Sequence, residues 1–218
     1  METREHLLDT AELLFHEQGV SRTSLHQIAE AAGLTRGAIY WHFKDKADVF
    51  NAMMERVTLP MEQPEAPMSG TGRRSDALSV IRRKVLNCLS IAATDDRTRR
   101  VFQIATQRVE YVGELIAVRD RHLAVRNTWL KEIETSLRDA VKQDHLRLRT
   151  TVAVGALGLY AILDGLMQNW MLDPESFDLL RVGRQSIDTY LAGLLMAGDT
   201  ASRTEECRGA GDSRRSRG

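Results

Sequence analysis

The stretch from Thr23 to Lys46, TSLHQIAEAAGLTRGAIYWHFKDK, constrains this chain more than any other segment. Thr23 and Ser24 are both good N-caps for a short helix, Leu25 to Ala32, and Gln27 stands where a capping box needs its partner. Gly33 stops that helix and can take the positive φ of a sharp turn, and Thr35 caps a second helix from Arg36 to Phe43. Ala29 and Ala32 are small enough for two helices to cross closely, while Ile28, Leu34, Ile39 and Phe43 supply a core. Two short helices over a glycine turn make a helix-turn-helix pattern, in which the second helix enters the DNA major groove.

The second helix carries suitable chemistry. Thr35 and Arg36 stand at its N-terminus, and Gly37 and Ala38 let the backbone come close to a groove floor. Tyr40 and Trp41 offer polar tips, while His42, Lys44 and Lys46 offer donors for phosphates. The alternative is that Tyr40, Trp41 and Phe43 are core aromatics. Charge limits the idea to one face: residues 1–50 hold five cations and eight acids, whereas residues 33–46 hold three cations and one acid. Binding then depends on contacts in register, because the 30 basic and 30 acidic residues cancel over the whole chain.

Apolar residues recur with helical period almost everywhere else. Leu7, Ala11, Leu14 and Phe15 form one stripe ended by Gly19, and a fourth helix runs from Lys46 to about Leu59. A loop is expected over Pro60–Gly72. Helices follow over Ser75–Ala93, Asp95–Val109, Leu115–Gln143, Thr150–Leu172 and Ser176–Ala197. The predicted fold is all-α: a three-helix DNA-binding unit over 1–50, a ligand-binding and dimerisation bundle over 51–198, and about nine helices in all. Residues 199–218 lack periodicity and read as a disordered tail. The longest apolar run, Val152 to Leu163, is short of the roughly 20 residues of a membrane span, so no membrane association is expected. Two distant cysteines, Cys88 and Cys207, suit a reducing cytoplasm.

No nucleophile elbow, zinc-protease pair or phosphate loop is present, and the six histidines show no ligand spacing. Neither catalysis, a cofactor nor a metal is expected. Polar groups inside apolar helices are the better clue. Asp164 follows the apolar run, with Tyr160, Leu163 and Met167 around it, and a buried carboxylate is costly unless paired or used. Gln103, Thr106 and Gln107 share a face with Phe102, and Trp129 and Ile133 share a stripe. An apolar cavity with a few polar groups suits a drug-sized ligand, though ordinary core packing explains the apolar members equally well.

Residues 4–50, above all the run TRGAIYWHFKDKADVF, resemble the DNA-binding domain of the TetR family of bacterial regulators. Together with DGLMQNWMLDPESFDL at 164–179, the wording is most similar to repressors of multidrug efflux pumps. The resemblance implies that Thr35, Arg36, Gly37, Tyr40, His42 and Lys46 lie against a double-stranded operator. It also implies that Thr23 and Ser24 touch a phosphate. It places Cys88, Phe102, Thr106, Trp129, Ile133, Tyr160, Leu163, Asp164 and Gln168 against a hydrophobic or aromatic inducer. It further implies a homodimer through the last two helices, where Gly155, Gly158 and Gly165 leave flat places. Ile187, Tyr190, Leu191, Leu194 and Leu195 are expected to line that seam. The expected function is a dimeric repressor released by its ligand. Regulation of a catabolic or biosynthetic operon by one specific ligand is the alternative, and a ligand-modifying enzyme a remoter one.

Overall fold

The computed structural model describes residues 2–62, 77–143 and 146–196. Among these the fold is all-α: α1 (Glu2–Gln18), α2 (Leu25–Ala31), α3 (Arg36–His42), α4 (Lys46–Glu62), α5 (Ala77–Thr94), α6 (Asp96–Gln107), α7 (Ile116–Gln143), α8 (Val152–Leu172) and α9 (Leu179–Leu194). A single 3-10 turn, Gly113–Leu115, precedes α7. Most of the expected loop over 60–72, and the proposed tail, lie outside the described residues. Helix α4 continues through Pro60, beyond the expected end near Leu59.

Local signals explain the first three helices. Gly19, at φ +85, closes α1 with its N–H on the Phe15 carbonyl at 3.0 Å. Ser24 caps α2, its Oγ accepting from the Gln27 N–H at 3.2 Å while Gln27 Oε1 accepts from the Ser24 N–H at 2.8 Å. That reciprocal box decides between the two candidate caps, because Thr23 is turned inward and donates to the Gly19 carbonyl at 2.9 Å. Gly33 takes φ +68 at the turn. Leu7, Leu8, Ala11, Phe15, Ile28, Ile39 and Phe43 are fully or nearly fully buried beneath it, so Phe43 is a core aromatic.

The expected domain boundary at residue 50 falls inside α4. Among the described residues there are two cores, and the first reaches past that boundary. Phe15 meets the Phe50 ring at 6.4 Å, and the same cluster takes in Met53 and Val57 of α4, Val101, Ile104 and Ala105 of α6, and Val118 of α7. The second core joins α5, α7, α8 and α9 through Leu89, Leu137, Leu159, Met171 and Ile187. Caps from Asp95, Thr151 and Asp178 start α6, α8 and α9. Arg82 and Asp188 bind in a two-point fork between α5 and α9, which holds the Asp188 carboxyl below its ordinary range.

Two expectations about the last helices are corrected. Ile187, Leu191 and Leu194 are buried in the chain's own bundle, and half-buried Leu195 bridges back to Leu148, so they are not free for a partner. Gly158 also has an internal use: an added Cβ would stand 2.0 Å from the Tyr190 hydroxyl, which donates to the Gly155 carbonyl at 3.0 Å. The uncovered apolar face belongs to α8. Val154, Leu157, Ala161, Gly165, Gln168 and Leu172 follow a heptad-like stripe, and Val154, Leu157 and Leu172 are 57%, 55% and 72% exposed. By length and composition α8 is apolar enough to cross a membrane, and only 22% of its apolar window is buried inside the chain.

Candidate functional site

Helix α3 presents one face to the core and the other to solvent. Ile39 is the buried member, while Thr35, Arg36, Gly37, Tyr40 and Trp41 are exposed. Trp41 is 86% exposed, which removes it from the core. Arg36 lies over the Tyr40 ring at 5.7 Å, so the guanidinium and the phenol form one projecting unit. The Thr35 side chain makes no capping bond, and a Cβ on Gly37 would meet only Thr35 Oγ1 at 3.9 Å. Beside α3 a shallow cleft gathers Arg22, Ser24, His26, Arg36, Tyr40 and Lys44. His42 is half-buried against Phe43.

Two of the expected operator residues are otherwise engaged. Thr23 is 1% exposed and braces the turn after α1 through its bond to the Gly19 carbonyl. The Lys46 ammonium donates to the Ser21 carbonyl at 3.2 Å and pairs with Glu114 at 3.5 Å, leaving its side chain 12% exposed. These contacts tie the first unit to the turn before α7, and Lys46 also lines the cleft beside α3. Lys44, which is exposed, is the better-placed cation.

The second site is a cavity of about 140 Å³ walled by α4, α5, α6, α7 and α8. It sits where the two cores meet: Phe50, Ala105 and Val118 come from the first, Cys88, Leu163, Met167 and Met171 from the second. Nine of the ten expected ligand residues line it, namely Cys88, Phe102, Thr106, Trp129, Tyr160, Leu163, Asp164, Met167 and Gln168. Ile133 does not. One helical turn beyond Trp129, it is 4% exposed and packs in the second core. Asp164 is half-buried, not buried, and accepts from Gln168 Nε2 at 2.6 Å. Lys84 stands 5.1 Å over the Trp129 ring and also pairs with Glu132, bracing the indole.

The α4 wall and most of the α7 wall were not foreseen. Phe50, Asn51, Met54 and Thr58 line the cavity from α4, and Val118, Arg121, His122, Val125 and Arg126 from α7. The spacing 118, 122, 125, 129 extends the stripe carrying Trp129 and is the signal that identifies this wall. Arg121 pairs with Glu55 at 2.7 Å and ties α7 to α4. Burial first, then the Asp164 charge, push the Tyr160 phenol up to about 12, so it stays neutral at physiological pH. Burial likewise pushes the Cys88 thiol up to about 12. In a Cys207→Ser background, Cys88 is therefore expected to resist alkylation by iodoacetamide at pH 8 and to react on unfolding in urea. Rapid labelling of the native protein, read by mass spectrometry, contradicts this placement.

A family profile described as bacterial regulatory proteins, tetR family, matches residues 7–53, and one described as the C-terminal region of MAATS-type transcriptional repressors matches residues 76–196. The chain belongs to the TetR family. It is 37% identical to the HTH-type transcriptional regulator AcrR of Shigella flexneri, over 89% of this chain and 90% of that one. It is 33% identical to the HTH-type transcriptional regulator TtgR of Pseudomonas putida, over 87% and 90%. Among solved structures, NalD, the secondary repressor of the MexAB-OprM multidrug efflux pump in Pseudomonas aeruginosa, superposes with a TM-score of 0.80 at 35% identity, over 90% and 97% of the two chains. A SmeT–triclosan complex superposes with a TM-score of 0.77 at 34% identity, over 91% and 94%. As a TetR-family chain, it pairs a DNA-reading N-terminal unit with a ligand-responsive C-terminal one.

Proposed function

We propose that the protein is a cytoplasmic, dimeric repressor of a multidrug efflux operon, released from its operator by hydrophobic or aromatic compounds. The observation that carries this reading is the shared wall: α4, which follows the recognition helix α3 directly, also lines the cavity. Thr35, Arg36, Gly37, Tyr40, Trp41 and His42 read the operator, with Ser24 and Lys44 on phosphates. The apolar stripe of α8, beside Ala192 and Gly193 of α9, forms the seam between two copies. Two recognition helices then meet half-sites about 34–36 Å apart, or slightly more.

A cavity of about 140 Å³ is smaller than an ordinary drug-sized site. A larger ligand binds by pushing α4 away from α7, so its affinity is higher for a geometry with altered half-site spacing. That difference in affinity is what releases the DNA. The test is operator binding by fluorescence anisotropy, using DNA flanking the gene and triclosan as the first ligand. Binding by the free protein and release at micromolar triclosan support the reading. Release by one polar metabolite alone favours a catabolic or biosynthetic operon. Arg36→Ala is expected to weaken operator binding by about 1–3 kcal/mol. Unchanged affinity in that variant overturns the placement of α3.

A further inference from the structure

Asn51 carries the one side-chain polar atom of the cavity wall, Oδ1, that is both fully buried and unpartnered among the described residues. An unpaired buried amide oxygen is a cost that a folded chain rarely carries without a use. Of the other polar groups of the wall, Tyr160 and His122 keep some exposure, and most of the rest are engaged. Thr58 and Thr106 donate to the carbonyls of Met54 and Phe102, Arg121 pairs with Glu55, and Asp164 accepts from Gln168. The remaining buried orphans, Glu12 Oε2 and Arg56 Nη1, sit on charged groups already held in ion pairs.

We propose that Asn51 is a specificity residue of the inducer site, its carboxamide hydrogen-bonding a hydroxyl carried by an otherwise apolar aromatic ligand. The proposal rests on the cavity being the inducer site. Its consequence follows from position. The preceding residue, Phe50, lines the cavity and meets Phe15 in the first core, and α4 begins four residues after the end of α3. A ligand held by Asn51 is therefore held by the helix that carries the recognition unit. Aromatic compounds without a donor fill the same space and have no such hold on α4.

The test is calorimetry on the full chain with two near-isosteric probes, naphthol and the methylnaphthalene substituted at the same ring position. Their affinity ratio is compared between wild type and Asn51→Leu, as in a double-mutant cycle. The preference for naphthol is expected to fall about tenfold in Asn51→Leu, with methylnaphthalene affinity unchanged within about threefold. Asn51→Ser serves where Asn51→Leu fails to fold and is expected to keep part of the preference. An unchanged ratio in a folded Asn51→Leu overturns the proposal while leaving the cavity as the inducer site. Trp129→Ala separates the two questions, because it should weaken both probes together. If wild type binds neither probe, or Trp129→Ala weakens neither, the inducer-site reading falls and the role of Asn51 falls with it.

Discussion

Leu157→Glu is expected to give a folded chain that sediments as a monomer and loses its hold on operator DNA. Leu157 stands 55% exposed on the α8 stripe with Val154 and Leu172, so the isolated chain accommodates a carboxylate there. In a two-fold dimer the same face meets itself, and each glutamate would be buried opposite its twin. An unpaired buried charge costs several kcal/mol, so dimer affinity should fall at least a hundredfold. Operator binding falls with it, because a single half-site contact is weak. Leu191→Glu and Leu194→Glu provide the contrast. Those residues are 7% and 6% exposed within the bundle, so their substitution should melt the chain and not merely split the dimer. Sedimentation velocity with circular dichroism reads both effects. A Leu157→Glu protein that stays dimeric at micromolar concentration moves the seam elsewhere.

The double variant Arg97→Ala/Arg100→Ala is expected to lose about 3 kcal/mol of stability. Glu12 of α1 is 2% exposed, with Arg100 Nη1 at 2.7 Å from Oε1 and Arg97 Nε at 3.6 Å from Oε2. Removing both arginines strands a carboxylate in the interface between α1 and α6. The arginines are a third to a half exposed and the Arg97–Asp9 pair lost with them is an exposed one, so the charge left behind is the main cost. Adding Glu12→Gln to the double variant should therefore recover much of the loss, since the neutral amide needs no counter-ion. Urea titrations of the three proteins measure this. Equal stability of the double and triple variants would mean that the arginines stabilise by packing alone.

The N-terminal unit was legible because its signals are local. The glycine stops at Gly19 and Gly33, the Ser24 cap and a 3.6-residue stripe specify helices within a few residues of themselves. Thr23 and Ser24 were indistinguishable because both are cap formers, and only tertiary packing turns one inward. The contacts of Lys46 were not legible for a related reason. Its partners, Ser21 and Glu114, lie 25 and 68 positions away, and no motif relates such residues. The cavity was legible from the aromatic and acidic positions on α6, α7 and α8 but not on α4. There Asn51, Met54 and Thr58 resemble the semi-polar face of any surface helix. The last helix misled because an apolar stripe states that a face is covered without saying by what. Here the chain's own α5 and α8 cover Ile187 and Leu191, and the unpartnered stripe lies on α8.

The placement of the cavity between two cores bears on how such a regulator can change its ligand over generations. Phe50 lines the cavity and is also buried against Phe15, so a substitution there alters what is bound and weakens the DNA-reading unit together. Variation at that position is filtered by fold stability before ligand preference is ever tested. Thr106 lines the same cavity yet is exposed and belongs to neither core. Most substitutions at such positions leave stability nearly untouched. Strains selected under unfamiliar toxic compounds should therefore gain new responsiveness first through the rim at Thr106, and only later, after stabilising changes elsewhere, through the α4 wall.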